Sequence, residues 1–232
     1  MSPARASIVL PVHNQADHIG SIVWGYLEVL RTLPVSSEIV LVPNACRDAS
    51  VAICQTLAAA ESTVRVAESP LGGWGRAVKH GLAAAAGDLL CYTNSARTTP
   101  EELALLLRYA LSQPGVVIKA NRKIREHWSR RIGSLLYNME CRTLFDLSNW
   151  DINGTPKVFP RAFDRLLTLT RDDDLIDAEF SLICRREGYP MLEVPILSYR
   201  RHGGKSTTNW RSAVKMYWGA YQLWRDSRKA TP

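Results

Sequence analysis

Residues 7–33 read SIVLPVHNQADHIGSIVWGYLEVLRTL. The first six are mostly apolar and rich in β-branched side chains, which suits a buried strand. A polar break, His13-Asn14-Gln15, follows. From Ala16 onward the apolar residues recur at helical spacing. This strand–loop–helix unit is repeated along the chain. EIVLV (38–42), VRVAE (64–68), LLCYT (89–93) and VVIKA (116–120) are further short apolar runs. DASVAICQTLAAA, WGRAVKHGLAAAA and PEELALLLRYALS lie between them with helical periodicity. Asp48 is placed to cap the second helix, and Thr99-Pro100 with Glu101 and Glu102 to start the fourth. Such alternation predicts an α/β fold, with a largely parallel sheet covered by helices on both faces. Ligands of these sheets bind beyond the C-terminal strand ends. The loops HNQ, PNACRD, SPLGGWG and TNSART are therefore where chemistry is expected.

After residue 121 the pattern changes. NRKIREHWSRRIGSLLYNMECRTLF is basic and mostly helical, and WDINGTPKVFPRAF reads as a loop, a short strand and a helix start. DDDLIDAEFSLICRREGY reads as a helix ending at Gly188, with Asp172, Asp173 and Asp174 as first-turn acids facing its dipole. MLEVPILSYRRHGGKS is a strand running into a basic glycine loop. No linker, repeat or low-complexity tract interrupts the chain, so one domain is expected over residues 1–208. Residues 209–232 are expected to form an amphipathic aromatic and basic helix.

The chain has 232 residues, is 46% hydrophobic and carries a formal net charge of +7. That balance suits a phosphorylated ligand or an anionic membrane surface. Nothing resembles a nucleic-acid recognition motif, so nucleic acid is not an expected partner. Five cysteines with no CxxC pair argue against a disulfide framework or zinc knuckle. No apolar stretch reaches spanning length and the N-terminus has no long apolar core, so a cytoplasmic setting is expected.

With these segments in order, the chain resembles the family 2 glycosyltransferases of the GT-A fold. More narrowly it resembles the polyprenyl-phosphate sugar transferases, the dolichol-phosphate mannosyltransferase group. The matching segments are SIVLPVHNQADHI, EIVLVPNACRDAS, SPLGGWGRAVKHGLAAAAGDLLCYTNSA, NRK, RRIGS, INGTPKVFPR, DAEFSLICRREGYPMLEVPI and RRHGGKS, spread over roughly residues 7–207. The resemblance implies transfer of a hexose from a nucleoside diphosphate sugar to the phosphate of a long isoprenoid lipid, with inversion.

The sequence departs from that pattern at acidic positions. Gln15 stands where the family often has Glu. Pro43 and Asn44 replace the two aspartates of the base-binding loop, and Asn94 and Ala96 replace both aspartates of Asp-x-Asp. Mg²⁺ and Mn²⁺ favour anionic oxygen ligands. An amide and a methyl group supply none, so no tight metal site is expected and no cofactor is assigned. A guanidinium can steady a departing diphosphate instead. Arg97 follows the altered motif, and RRHGGKS adds Arg200, Arg201 and Lys205. Arg97 and Lys205 are thus candidates for charge stabilisation. Equally, the lost carboxylates fit a silent binding or scaffold protein on the same fold, and that alternative stays open.

On the donor side, Pro11 and His13 flank the first strand's end, and Asn44 has an amide suited to a nucleobase edge or to an Asx turn. Gly72 and Gly73 allow close backbone approach at a helix N-terminus; a plain turn is the other reading. Asn94 and Ala96 complete the donor set. By resemblance, Asp177 is the carboxylate near the acceptor, as base or sugar-orienting group. Arg122, Arg130 and Ser134 match lipid-phosphate contacts, and Lys157 is added to the phosphate-facing set. A solvated helix face is the plainer reading of the basic run. In the tail, Trp210, Tyr217, Trp218, Tyr221 and Trp224 recur among Arg211, Lys215, Arg225, Arg228 and Lys229. Such a helix suits a membrane interface, or else packs on the domain or on a homodimer partner.

Overall fold

The structure is a computed structural model. It describes residues 5–122, 128–197 and 210–229, with side chains from residue 132 in the second segment and over 214–228 in the third. Seven strands form one sheet in the order β3-β2-β1-β4-β6-β5-β7. They are β1 (Arg5–Val12), β2 (Ser36–Pro43), β3 (Val64–Val66), β4 (Leu89–Tyr92), β5 (Val117–Arg122), β6 (Lys157–Pro160) and β7 (Met191–Ile196). Helices α1 (Ile19–Leu30), α2 (Ser50–Ala60), α3 (Trp74–Ala84), α4 (Pro100–Ser112), α5 (Trp128–Phe145), α6 (Ile176–Arg186) and α7 (Trp210–Lys229) accompany it.

The α/β architecture and mostly parallel sheet match the sequence expectation, with one exception. β6 runs antiparallel to both β4 and β5. Its first residue, Lys157, therefore lies in register with Tyr92, the last residue of β4. The loop before β6 thus joins the C-terminal edge, where the other strands end. Strand alternation divides the core between the two sheet faces. Ile8, Leu10 and Val12 of β1 pack with α1, α2 and α4, while Val9 packs with α3 and α6 on the other face. A third cluster joins α5, α6 and α7 through Tyr137, Cys141, Leu182, Ala220 and Leu223.

Local signals were sound where they were short-range. Thr99 caps α4 in a full capping box with Glu102, and Pro100 occupies the first turn. Asp48 lies one residue before the Ala49 N-cap of α2, and its carboxylate accepts the Ser50 N–H at 3.0 Å. The acidic run behaves differently from the helix start expected of it. α6 begins at Ile176, and Asp172 turns away to pair with Arg76 and Lys79 of α3 at 2.6 and 2.9 Å.

Candidate functional site at the C-terminal sheet edge

The loops after β1, β2 and β3 are tied together by Asn44, which is 4% exposed. Its Nδ2 donates to the Val12 carbonyl at 2.8 Å and the Val42 carbonyl at 3.3 Å. Its Oδ1 accepts from the Gly73 N–H at 3.4 Å. Both amide protons are thus taken by backbone, and the nucleobase role expected of Asn44 is not the one this conformation shows. His13 is exposed beside it. The His13 Nδ1 lies 2.7 Å from the Asn44 carbonyl, which can only accept, so this nitrogen carries the proton. The Asn14 amide then donates to Nε2 at 3.2 Å. Pro11 is buried within β1, in register with Val42, and not at the surface where a donor contact was expected.

The glycine loop has a structural reason for two of its glycines. Gly73 sits at φ +138°, and a Cβ there would lie 2.6 Å from the Asp172 carbonyl oxygen. A Cβ at Gly75 would lie 2.5 Å from the Arg171 oxygen and 2.7 Å from the Asp173 oxygen. These residues admit the 171–173 backbone, a neighbour the sequence did not reveal. Gly72, Gly73, Thr170, Arg171, Asp172, Asp173 and Lys215 line an open groove of about 510 Å³. Hydrogen bonds from Arg76, and then Lys79, hold the Asp172 carboxyl down at about 2.

After β4, Asn94 forms a local turn, its Oδ1 accepting the Ala96 N–H at 3.0 Å. Ser95 is buried and donates to Gln15 Oε1 at 2.5 Å, joining the β1 and β4 loops. Ala96 is fully buried. Arg97 is half-buried, and its N–H donates to the Asn94 carbonyl at 3.0 Å. This loop does not fit a divalent cation. Its only side-chain oxygens belong to an amide and hydroxyls engaged within the protein, and a methyl group fills the second motif position. Among the described residues no group of three His, Cys, Asp or Glu is arranged to hold a metal.

The most tightly built part of this edge surrounds Asp177. Its Oδ1 pairs with Lys157 Nζ and accepts the Tyr92 hydroxyl at 2.8 Å. Its Oδ2 accepts the Trp74 indole N–H at 3.2 Å. Tyr92 and Lys157 are fully buried. Lys157 also lies over the rings of Tyr92 and Phe180. Burial pulls the Lys157 ammonium down to about 8, against the opposing pull of Asp177. Two expectations need correction here. Asp177 is not an open carboxylate facing an acceptor, and Lys157 does not face a phosphate. They neutralise each other beneath the edge.

A second charged group lies at the ends of β5 and β7. Arg122 grips Asp151 with both prongs, Nε–Oδ2 at 2.6 Å and Nη2–Oδ1 at 2.8 Å, and its side chain is 14% exposed. Glu193 receives Lys119, Asn121 and the Trp150 and Asp151 N–H groups. Of the expected phosphate set, Ser134 is half-buried on α5, while Arg130 lies on α5 with its side chain outside the described residues. Arg200, Arg201 and Lys205 also lie outside them. Sequence reasoning missed Tyr92, Trp74, Asp151 and Glu193. Only Glu193 carried a usable signal, since it lies in the apolar segment MLEVPI, where an unpaired charge is costly.

The model of the glycosyl transferase family 2 matches residues 7–167, more than half of the chain. Comparison with curated proteins returned no match. Among solved structures, glucosyl-3-phosphoglycerate synthase from Mycobacterium tuberculosis in complex with UDP is similar at 15% identity. The match covers 96% of this chain and 79% of that one, with a TM-score of 0.72. The same synthase with Mn²⁺, UDP and phosphoglyceric acid matches at 16% identity over 100% and 80% of the two chains, again with a TM-score of 0.72. A mycobacterial protein matches at 19% identity over 93% and 72%, with a TM-score of 0.69.

Proposed function

The chain belongs to glycosyl transferase family 2, and from that membership we propose that it moves a hexose from a nucleoside diphosphate sugar to a phosphate-bearing acceptor, with inversion and without a tightly bound metal. A polyprenyl phosphate is the acceptor favoured by the segments RRIGS and RRHGGKS. The observation that carries the reading is the engagement of Asp177. A hydroxyl acceptor needs a general base to take its proton. Asp177, the carboxylate to which the resemblance assigns that work, is held by Lys157, Tyr92 and Trp74. A phosphate acceptor is already ionised near neutral pH and needs none. Its oxygen attacks the anomeric carbon, the bond to the diphosphate oxygen breaks, and the electron pair leaves with the diphosphate. No proton changes hands.

Charge on the leaving diphosphate then falls to cations of the chain. Arg97 on the β4 loop and Lys205 in the basic glycine loop are the candidates, acting as preorganised donors. Arg130 and Ser134 remain the candidates on the acceptor side, and Arg122 drops from the set because both prongs of its guanidinium are taken by Asp151. Lys157 drops from that set because it is buried and paired. The neighbouring synthase structures hold UDP, UDP-glucose and phosphoglyceric acid, which makes a uridine donor the first to try.

A second reading is favoured by the way Asn44, His13, Asn94 and Ser95 satisfy one another and nearby backbone. A donor loop closed on itself is what a silent binding or scaffold protein would keep. Calorimetric titration of UDP-, GDP- and dTDP-sugars in EDTA, then with Mn²⁺, separates the two. Binding in EDTA that is indifferent to Mn²⁺, followed by turnover with a short polyprenyl phosphate, supports the transferase. No binding in either condition favours the scaffold.

A further inference from the structure

Helices α5, α6 and α7 run in the same direction. Leu175, at the start of α6, packs against Gly219 of α7. At the other end of α6, Arg186 donates to the Ser227 carbonyl at 2.5 Å, and Arg185 reaches Asp146 just beyond α5. Along the α5–α7 seam, the Tyr217 hydroxyl donates to the Gly133 carbonyl at 2.7 Å, and the Tyr137 and Tyr217 rings meet edge-on. Two parallel helices joined this way turn the sides opposite the core to one common face.

That face is apolar. Ile132, Leu135, Leu136 and Met139 project from α5, and Val214, Trp218 and Tyr221 from α7, each 39–59% exposed. On both helices they fall at spacings of three and four residues, which is one stripe each. Exposed Arg225 stands on the α7 stripe seven residues after Trp218, 3.5 Å from the equally exposed Asp226, while Lys215 at the start of the helix turns to the groove lined by Asp172 and Asp173. The sequences of α5 and α7 contain eight Lys or Arg and two acids, a surplus that equals six of the chain's formal +7. Among the described residues no helix is long and apolar enough to cross a membrane.

We propose that the α5–α7 face docks on the surface of an anionic lipid bilayer. Aromatic and aliphatic side chains enter the headgroup boundary while flanking cations meet anionic headgroups. Charge decides against a second copy of the chain as the occupant, because pairing these two helices with their own copies brings together sequences that each carry a positive surplus. The docking stands on the face alone. Its use, presenting a membrane-held phosphate to the sheet edge, rests on the transferase reading.

Vesicle co-sedimentation of the full chain tests this. Wild-type protein is expected to sediment with vesicles containing about one third phosphatidylglycerol, not with pure phosphatidylcholine, and less at high salt. The double variant L136S/W218S and the single variant R225E, with unchanged circular dichroism, should each lower partitioning roughly 10-fold. Wild-type protein left in the supernatant, or variants that bind as well as wild type, overturns the proposal. So does a dimer that L136S/W218S dissociates while vesicles capture nothing. Calorimetry with UDP-glucose on the same samples separates the two ideas. Donor binding without vesicle binding sinks the docking alone, and vesicle binding without donor binding sinks the transferase alone.

Discussion

The Asn44 side-chain nitrogen donates to the Val12 carbonyl at 2.8 Å, so the end of β2 is stapled to the end of β1 by an amide proton. An aspartate there has no proton to give and would set its charge against two carbonyls. Asn44→Asp is isosteric, yet it should lower stability by roughly 2–3 kcal/mol. Urea denaturation checks this. A variant as stable as wild type that binds nucleotide more tightly would mean that the amide is a ligand group after all.

Asp177 and Lys157 form a buried pair, and removing one member strands the other. Asp177→Leu or Lys157→Met alone should each cost roughly 3–5 kcal/mol. The joint variant D177L/K157M should cost less than the two single changes added together. Were Asp177 an open catalytic base, its removal would abolish turnover and leave the denaturation midpoint where it was.

Ala96 sits in a fully buried position, so restoring an acid there is expensive. Ala96→Asp should destabilise the fold by roughly 2 kcal/mol or more, because the carboxylate has no partner. The double change N94D/A96D should show no rise in melting temperature on adding Mn²⁺. A clear Mn²⁺-dependent rise would show that the loop keeps metal geometry and lacks only its charges.

Asp172 should write itself into the acid limb of stability. Its carboxyl titrates at about 2 in the fold, below the unfolded value of roughly 3.9. A depressed carboxylate contributes fully above the unfolded value and loses that contribution as pH falls toward the folded one. Asp172→Asn should therefore lower the melting temperature at pH 6 and match wild type near pH 2. The gap should narrow with salt, since the pair with Arg76 and Lys79 is partly exposed.

The strand–helix order was legible because it rests on local pattern: IVLPV is an unbroken apolar run, and Leu103, Leu106, Leu107 and Ala110 repeat every three or four. What stayed hidden depended on partners distant in sequence. Gly73 and Gly75 look like a ligand loop until the 171–173 backbone fills the space. Lys157 looks like a phosphate ligand until β6 turns it beneath Asp177. The direction of β6 was itself unreadable, since four residues of KVFP carry no mark of which way they run. The outward row on α5 was obscured by the arginines preceding it.

The reversed strand has a consequence for synthesis. The half-sheet β3-β2-β1-β4 can assemble as soon as its own segments emerge, but β5 cannot join it. β6 lies between β4 and β5, pairing Leu89 with Pro160 and Tyr92 with Lys157. The β4 edge therefore stays unpaired while nearly 70 further residues are made, and a chain truncated before β6 would carry a bare apolar edge of the sort that recruits other chains. The seam beside Lys157 and Asp177 therefore closes late, and only the addition of β7 to the outer edge of β5 comes after it.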